Sequence, residues 1–295
     1  MNHIPQAVVF DIGNTYSKVG FFDTSGEIIA RERIKLSTLA TAQKINDTDI
    51  NLQIKQNLTR LLSKHRDKLP AVYILGGVSS PNMKIIREQL TALRGEKNFA
   101  DCFSGLPSDS SNNLNRIFVF ELGINSPWGI ELDIKSKSTL GLDRIANLVA
   151  AAHEWPENSA VVVDAGTAVT VDLLVSGKVF AGGTISPGLN MMSHALAAYT
   201  ANLPLVTPRD FQDIHIGKST REALGSGLLH GFIGMVDRLT EQIMAPCKTR
   251  PIGIATGGDG DLLLKHSKFY TICRPDLTLK GYYLTGIKVF SSIFR

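Results

Sequence analysis

The chain has 295 residues, 43% hydrophobic and 20% charged, with a formal net charge of +4. That length allows two domains of ordinary size, and the composition is that of an ordinary globular protein. The mild positive excess suits anionic substrates but forms no Lys/Arg-rich block, so nothing points to nucleic acid, and no apolar run approaches the length of a membrane span. The three cysteines, Cys102, Cys247 and Cys273, show neither metal spacing nor an even disulfide framework. The N-terminal MNHIPQAVVF has no basic segment followed by a long apolar stretch, so no signal peptide is read. A reduced, cytoplasmic protein is the expectation.

The first element is Val8–Phe22, VVFDIGNTYSKVGFF. A short apolar strand ends in Asp11, a turn follows at Gly13-Asn14-Thr15, and a strand pattern resumes from Ser17. The bend carries backbone N–H groups, the Thr15 hydroxyl, the Asp11 carboxylate and Lys18. Converging N–H groups and a lysine can hold phosphate oxygens. The plainer alternative is a β-hairpin with a polar tip.

Glu27–Arg31 reads as a third strand, Ile50–His65 as a helix, and Ala71–Leu75 as a buried strand ended by Gly76-Gly77. Asn82–Leu93 is a second helix, polar Gly95–Asn115 a loop or insertion, and Arg116–Leu122 a strand. Ser138–Trp155 opens a second half with a helix whose apolar face is Leu142, Ile145, Leu148, Val149 and Ala152 and whose cap is Ser138 or Thr139. Lys178–Ile185 is a strand, Pro187-Gly188 opens a helix over Leu189–Tyr199, and Gly217–Met244 holds a long, glycine-loosened helix. Ile252–Thr256 is a strand, Gly257-Gly258-Asp259-Gly260 turns sharply, and Leu279–Phe294 closes the chain as a helix. His153, His194 and His230 are irregularly spaced and read as structural or surface residues.

Between these lies an echo. Val161–Leu174, VVVDAGTAVTVDLL, repeats the strand ending in aspartate, Asp164, followed by Gly166-Thr167 and a second strand. Two such hairpins in a similar element order suggest a duplicated domain, in which they could clamp a nucleotide triphosphate between them. The arrangement resembles the actin-like ATPase and sugar-kinase superfold. It implies an α/β fold of duplicated ribonuclease H-like domains, each a mixed β-sheet flanked by helices. The expected halves are 1–137 and 138–295, with the last helix able to pack back on the first half.

Four linked features sharpen the resemblance: Asp11-Ile12-Gly13-Asn14-Thr15 with Lys18; Gly141-Leu142-Asp143-Arg144; Asp164-Ala165-Gly166-Thr167-Ala168; and Gly217-Lys218-Ser219-Thr220. With Pro187-Gly188 and Thr256-Gly257-Gly258, they make the chain similar to type III pantothenate kinases over nearly its whole length. The resemblance implies phosphorylation of pantothenate by ATP, the entry step of coenzyme A synthesis. It implies that Asp11, Ile12, Gly13, Asn14, Thr15, Tyr16, Ser17 and Lys18 cradle the ATP phosphates, with Thr167 opposite and Mg²⁺ on Asp11. Asp143 is implied as general base and Arg144 as the fork for pantothenate, in a pocket with Gly141, Leu142 and Ile134. Asp164 is implied to hold a monovalent cation, K⁺ or ammonium, although a second Mg²⁺ ligand is its alternative. Thr220 is implied to reach pantothenate across a homodimer interface, and a helix N-cap is its alternative.

The chain departs from the family at Ile134, where a tyrosine is usual, and at Lys137, where a proline is common. Both bear on the substrate more than on the phosphate chemistry. Another small-molecule kinase or phosphohydrolase of the superfold and a non-enzymatic accessory regulator are the competing functions. Retention of Asp11, Asp143, Arg144 and Thr167 argues against the regulator.

Overall fold

The structure, a computed structural model, describes residues 6–13, 16–35, 47–64, 72–77, 80–93 and 118–293. The expected Gly95–Asn115 loop lies outside them. The chain divides into two compact units: Met1–Gly129 with Ser138–Val149 and Thr278–Arg295, and Ile130–Lys137 with Ala150–Leu277.

The first unit is built on a mixed sheet. β1 (Ala7–Ile12) runs antiparallel to β2 (Tyr16–Phe22), which pairs antiparallel with β3 (Ile28–Lys35). β4 (Val72–Gly77) lies parallel to β1, and β5 (Phe118–Glu121) parallel to β4. Strand alternation sends Val8, Phe10, Ile12, Val19, Phe21, Tyr73 and Leu75 into one core. There they meet Ile54, Leu58 and Leu61 of α1 (Asp47–Lys64) and Met83, Ile86 and Leu90 of α2 (Ser80–Leu93), spaced to share one helical face.

Helix α7 (Leu277–Ile293) also belongs to this unit. Its Tyr283 ring stacks on Phe22 at 4.4 Å, and a side chain at Gly76 would strike Tyr282. Helix α3 (Leu142–Glu154) meets α7 where Ala146 abuts Gly281, and Thr278 Oγ1 donates to Asn147 Oδ1 at 2.8 Å within that buried contact.

The second unit repeats the plan. β7 (Ala160–Ala165), β8 (Ala168–Val175) and β9 (Val179–Pro187) form an antiparallel run, and β10 (Ile252–Thr256) and β11 (Ile272–Cys273) continue in parallel from β7. A two-residue β6 (Glu131–Leu132) extends the β9 edge. The order β9-β8-β7-β10-β11 matches β3-β2-β1-β4-β5, so the fold is a duplicated mixed α/β sheet. Val161, Val163, Val169 and Val171 share a core with Leu229, Phe232 and Val236 of α5 (Thr220–Met244) and Leu262 and Leu263 of α6 (Gly260–His266). Helix α4 (Leu189–Tyr199) follows Pro187-Gly188 as expected.

Some expectations change. The strand expected over Ala71–Leu75 runs two residues further, and Gly76 and Gly77 are the last residues of β4 itself. Ser138 and Thr139 do not cap α3: Lys137–Thr139 is a separate 3-10 turn, and the helix begins only at Leu142. The third strand runs on to Lys35, because its partner β2 continues opposite it. Among the described residues no helix is long and apolar enough to cross a membrane.

Candidate active site

The two hairpins correspond strand for strand. In the first, Asp11 is the penultimate residue of β1, and Gly13 N–H donates to Tyr16 O at 3.1 Å to close the turn. In the second, Asp164 is the penultimate residue of β7, and Gly166 N–H donates to Ala168 O at 3.1 Å. The second bend is thus one residue tighter. Asn14 and Thr15 lie outside the described residues.

The first bend is held from behind. Asn82, buried at the start of α2, donates to Gly13 O at 3.3 Å. Gly77 sits at φ +138°, where a side chain would strike Ile12 O, so only glycine lets β4 close on this strand end. Lys18 pairs across the ladder with Asp11, its Nζ 4.0 Å from the carboxylate. The Ile12 and Ser17 side chains are buried, and Ser17 Oγ donates back to Asp11 O at 3.1 Å. What these two residues can offer a ligand is backbone. Tyr16 lies under the Arg33 guanidinium, 3.8 Å from its ring centre.

In the same unit, Gly141, Leu142, Asp143 and Arg144 form the entry to α3. Asp143 Oδ1 accepts the Arg144 N–H at 2.9 Å, folding the carboxylate onto the helix start. A side chain at Gly141 would lie 2.4 Å from that oxygen, so glycine leaves the carboxylate its space. An acid in this first turn also complements the helix dipole.

The second unit carries Asp164, Thr167, Ile134 and Thr220. Thr167 is exposed, and its carbonyl accepts the Gly188 N–H at 3.0 Å, so the Pro187-Gly188 turn backs this bend. Thr256 stands beside Asp164 in register, fully buried, with its hydroxyl unpartnered. Gly257 follows at φ +86°, packed on Asp164 Oδ1 and Ala165 O, as Gly77 packs on Ile12. Ile134 is half-buried just past β6. Thr220 is exposed as the first residue of α5, and Ser219 is the N-cap, its side chain accepting the Glu222 N–H. The cap reading of Thr220 is therefore overturned, because Ser219 performs that task.

The sequence reading passed over a clamp in the second unit. Arg209, in the 3-10 turn Pro208–Phe211, donates to Asp259, Gly258 O and Asp261 at 2.7 to 2.8 Å. These hydrogen bonds hold the Arg209 guanidinium above its ordinary pKa, and the Arg209 bond holds the Asp261 carboxyl below the usual carboxylate range. No spacing signal links positions fifty residues apart. Among the described residues no cluster of three or more His, Cys, Asp or Glu could hold a metal. A divalent ion here would rest on one or two carboxylates, with phosphate and water completing its shell, as Mg²⁺ commonly does.

Duplicated mixed sheets, each ending a central strand in an aspartate hairpin, define an α/β fold of the actin-like ATPase and sugar-kinase type. A solved structure from Listeria monocytogenes, described as a candidate N-acetylmannosamine kinase, shares this fold at a TM-score of 0.51 and 15% identity, covering 97% of this chain and 99% of that one. The type III pantothenate kinase family profile matches residues 111–242. A type III pantothenate kinase of Parafrankia sp. is 33% identical over 282 residues, 94% of this chain and 96% of that relative. One from Zymomonas mobilis is 36% identical over 160 residues, and that match spans 53% of this chain and 57% of the relative. The chain belongs to the type III pantothenate kinase family.

Proposed function

We propose that this chain transfers the γ-phosphoryl group of ATP to the primary hydroxyl of pantothenate, giving phosphopantothenate, the entry step of coenzyme A synthesis. The observation that carries this reading is kinship with a type III pantothenate kinase along 94% of the chain. The chemistry needs a held nucleophile, a proton acceptor and charge neutralisation at the phosphoryl group.

Asp143 is the proton acceptor for the pantothenate hydroxyl. Arg144 binds the carboxylate or carbonyls of pantothenate through its planar fork. Gly141, Leu142 and Ile134 line the pocket, which Ile134 makes more apolar on its side. The backbone of the first bend and Lys18 hold the ATP phosphates, and Thr167 adds a hydroxyl from the second bend. Mg²⁺, bound with ATP, supplies charge neutralisation, and Asp11 offers the hard oxygen donors that such an ion takes. Asp164 suits K⁺ or ammonium: the buried, unpartnered Thr256 hydroxyl beside it supplies a second oxygen donor.

The active form is a homodimer in which Thr220 serves the pantothenate site of the other copy. Support comes from an apolar groove of about 550 Å³ between α4 and α5, lined by Met191, Leu196, Tyr199, Leu228 and Gly231. Tyr199 is 90% exposed, and the α5 glycines Gly227, Gly231 and Gly234 face open space in the isolated chain. A second copy would bury this face. The enzyme works in the cytoplasm, a reduced compartment that suits its free Cys247 and Cys273.

The test is a coupled ATP-consumption assay. ATP turnover should depend on pantothenate and rise with K⁺. A chain that binds nucleotide but shows no pantothenate-dependent turnover, with or without K⁺, overturns the proposal in favour of a regulator or a kinase for another substrate.

A further inference from the structure

The turn after β10 is where Asp164 meets its wall. Gly257 packs directly on Asp164 Oδ1 and Ala165 O, and Asp259 N–H donates to Ala165 O at 2.9 Å. The turn closes through backbone bonds, Gly260 N–H donating to Gly257 O at 3.3 Å, but has no side-chain anchor within itself. Gly257, Gly258 and Gly260 have no side chains to anchor it, and Asp259, though it caps α6, makes no side-chain capping bond. Its carboxylate is turned instead to Arg209, whose Nε donates at 2.8 Å. The same guanidinium bonds Gly258 O at 2.7 Å and reaches Asp261 with Nη2 at 2.8 Å and Nη1 at 3.2 Å. A single planar fork thus ties the turn, at Gly258 and Asp259, to Asp261 in the first turn of α6.

Arg209 is in turn anchored from the other side. The next residue but one, Phe211, fills the space left by Gly225 of α5, where a side chain would meet its ring at 2.1 Å. Gln212 adds a tie to α6, accepting from Lys265 Nζ at 3.1 Å. The 3-10 turn is therefore a strap seated on α5, with the Arg209 side chain as the part that reaches the β10 turn.

We infer that Arg209 is a positioning residue for the reaction: by clamping the Gly257–Asp259 turn it holds the Asp164 carboxylate in the orientation the cation and nucleotide require. The inference rests on Asp164 serving the phosphate end of the site. Arg209 acts through Asp164 and is assigned no contact of its own with substrate or cation. Because Phe211 seats the strap on α5 independently, loss of the guanidinium frees the turn and leaves the Thr220 end of α5 in place.

The test compares Arg209→Lys, Arg209→Ala and Asp259→Asn with Arg274→Ala, which removes an ion pair to Glu154 in the same unit but keeps the Arg274 N–H bond to Ala255 O beside this turn. Two readouts are taken: steady-state constants for ATP, K⁺ and pantothenate, and equilibrium affinity for ADP with Mg²⁺ by calorimetry. Outer partners of a ligating carboxylate typically matter by about 10-fold or more, so the clamp variants should raise the half-saturating K⁺ and the ADP Kd by about 10-fold while the pantothenate KM stays near wild type. Arg209→Lys should lie between Arg209→Ala and wild type, and Arg274→Ala should lower Tm alone. If Arg209→Ala fails to fold, Arg209→Lys and Asp259→Asn decide. Clamp variants that lose Tm as Arg274→Ala does, with K⁺ and ADP constants unchanged, make the clamp a stability device and overturn the inference. A wild-type enzyme indifferent to K⁺ defeats the cation assignment of Asp164 instead, and the clamp is then judged on the ADP Kd alone, by the same two outcomes.

Discussion

The proposed chemistry falls on one side chain, Asp143, and its surroundings suit that role. It stands in the first turn of α3 with Gly141 beside its Oδ1, where any larger residue would press on the carboxylate. Replacement by asparagine keeps the shape and the Arg144 N–H acceptor but removes the proposed proton acceptor. Asp143→Asn should therefore lower kcat by about 10²–10⁴-fold while leaving ADP affinity and Tm near wild type. Retention of wild-type kcat in the same coupled assay would remove Asp143 from the chemistry. The cysteines illustrate the opposite case. Burial, followed by the charge of Asp261, pushes the Cys273 thiol up, so it is a poor nucleophile at neutral pH and no part of the reaction is assigned to it.

At the scale of elements, the clamp on the β10 turn should leave a pH signature. The Arg209 hydrogen bond holds the Asp261 carboxyl below its ordinary value of 3.8, against the opposing effect of partial burial. A carboxyl depressed in the folded state stabilises the fold above its unfolded pKa and loses that contribution as pH falls through the folded one. Wild type and Asp261→Asn should thus differ in unfolding free energy by a constant amount from pH 7 down to about 5, a gap of at most about 1 kcal/mol because Asp261 is largely exposed. The gap should close below about pH 4. A gap that persists unchanged to pH 3 would mean that the ion pair is not its source. The clamp also marks where reading the sequence stops. Val8–Phe22 and Val161–Leu174 could be recognised because strand, aspartate and turn are neighbours in sequence, and local order fixes a hairpin. The shared sheet order follows from that duplication. β6 and β11 are two residues each and carry no alternation to detect. Ser138 and Thr139 looked like caps by composition, but a 3-10 turn intervenes before α3. Arg209 and Asp259 meet only through the folding of the second unit, and Thr256 gains its meaning only from its register with Asp164.

At the scale of the whole molecule, the question is whether one chain suffices for one active site. The α5 helix divides its glycines by task. Gly225 is occupied within the chain by Phe211, whereas Gly227, Gly231 and Gly234 remain on a face with open space beside the α4–α5 groove. Thr220 begins that helix and is relieved of capping by Ser219, which leaves its hydroxyl available for a role outside the chain's own helix start. If a two-fold interface forms there, every contact occurs twice, and a Thr220 contributed to the other copy implies two shared sites. Complementation tests this directly. Asp143→Ala and Thr220→Ala proteins, each nearly inactive, are dissociated together and allowed to reassociate. In a mixed dimer one site collects both lesions and the other collects none. Random pairing makes about half of the dimers mixed, so about a quarter of all sites should be intact and activity should rise toward about a quarter of wild type. Sedimentation of differently tagged chains verifies that mixed dimers have formed. Verified mixed dimers with no gain over the separate variants would place Asp143 and Thr220 in the same chain's site, and a fully active Thr220→Ala protein would remove Thr220 from the site without disproving the proposed dimer.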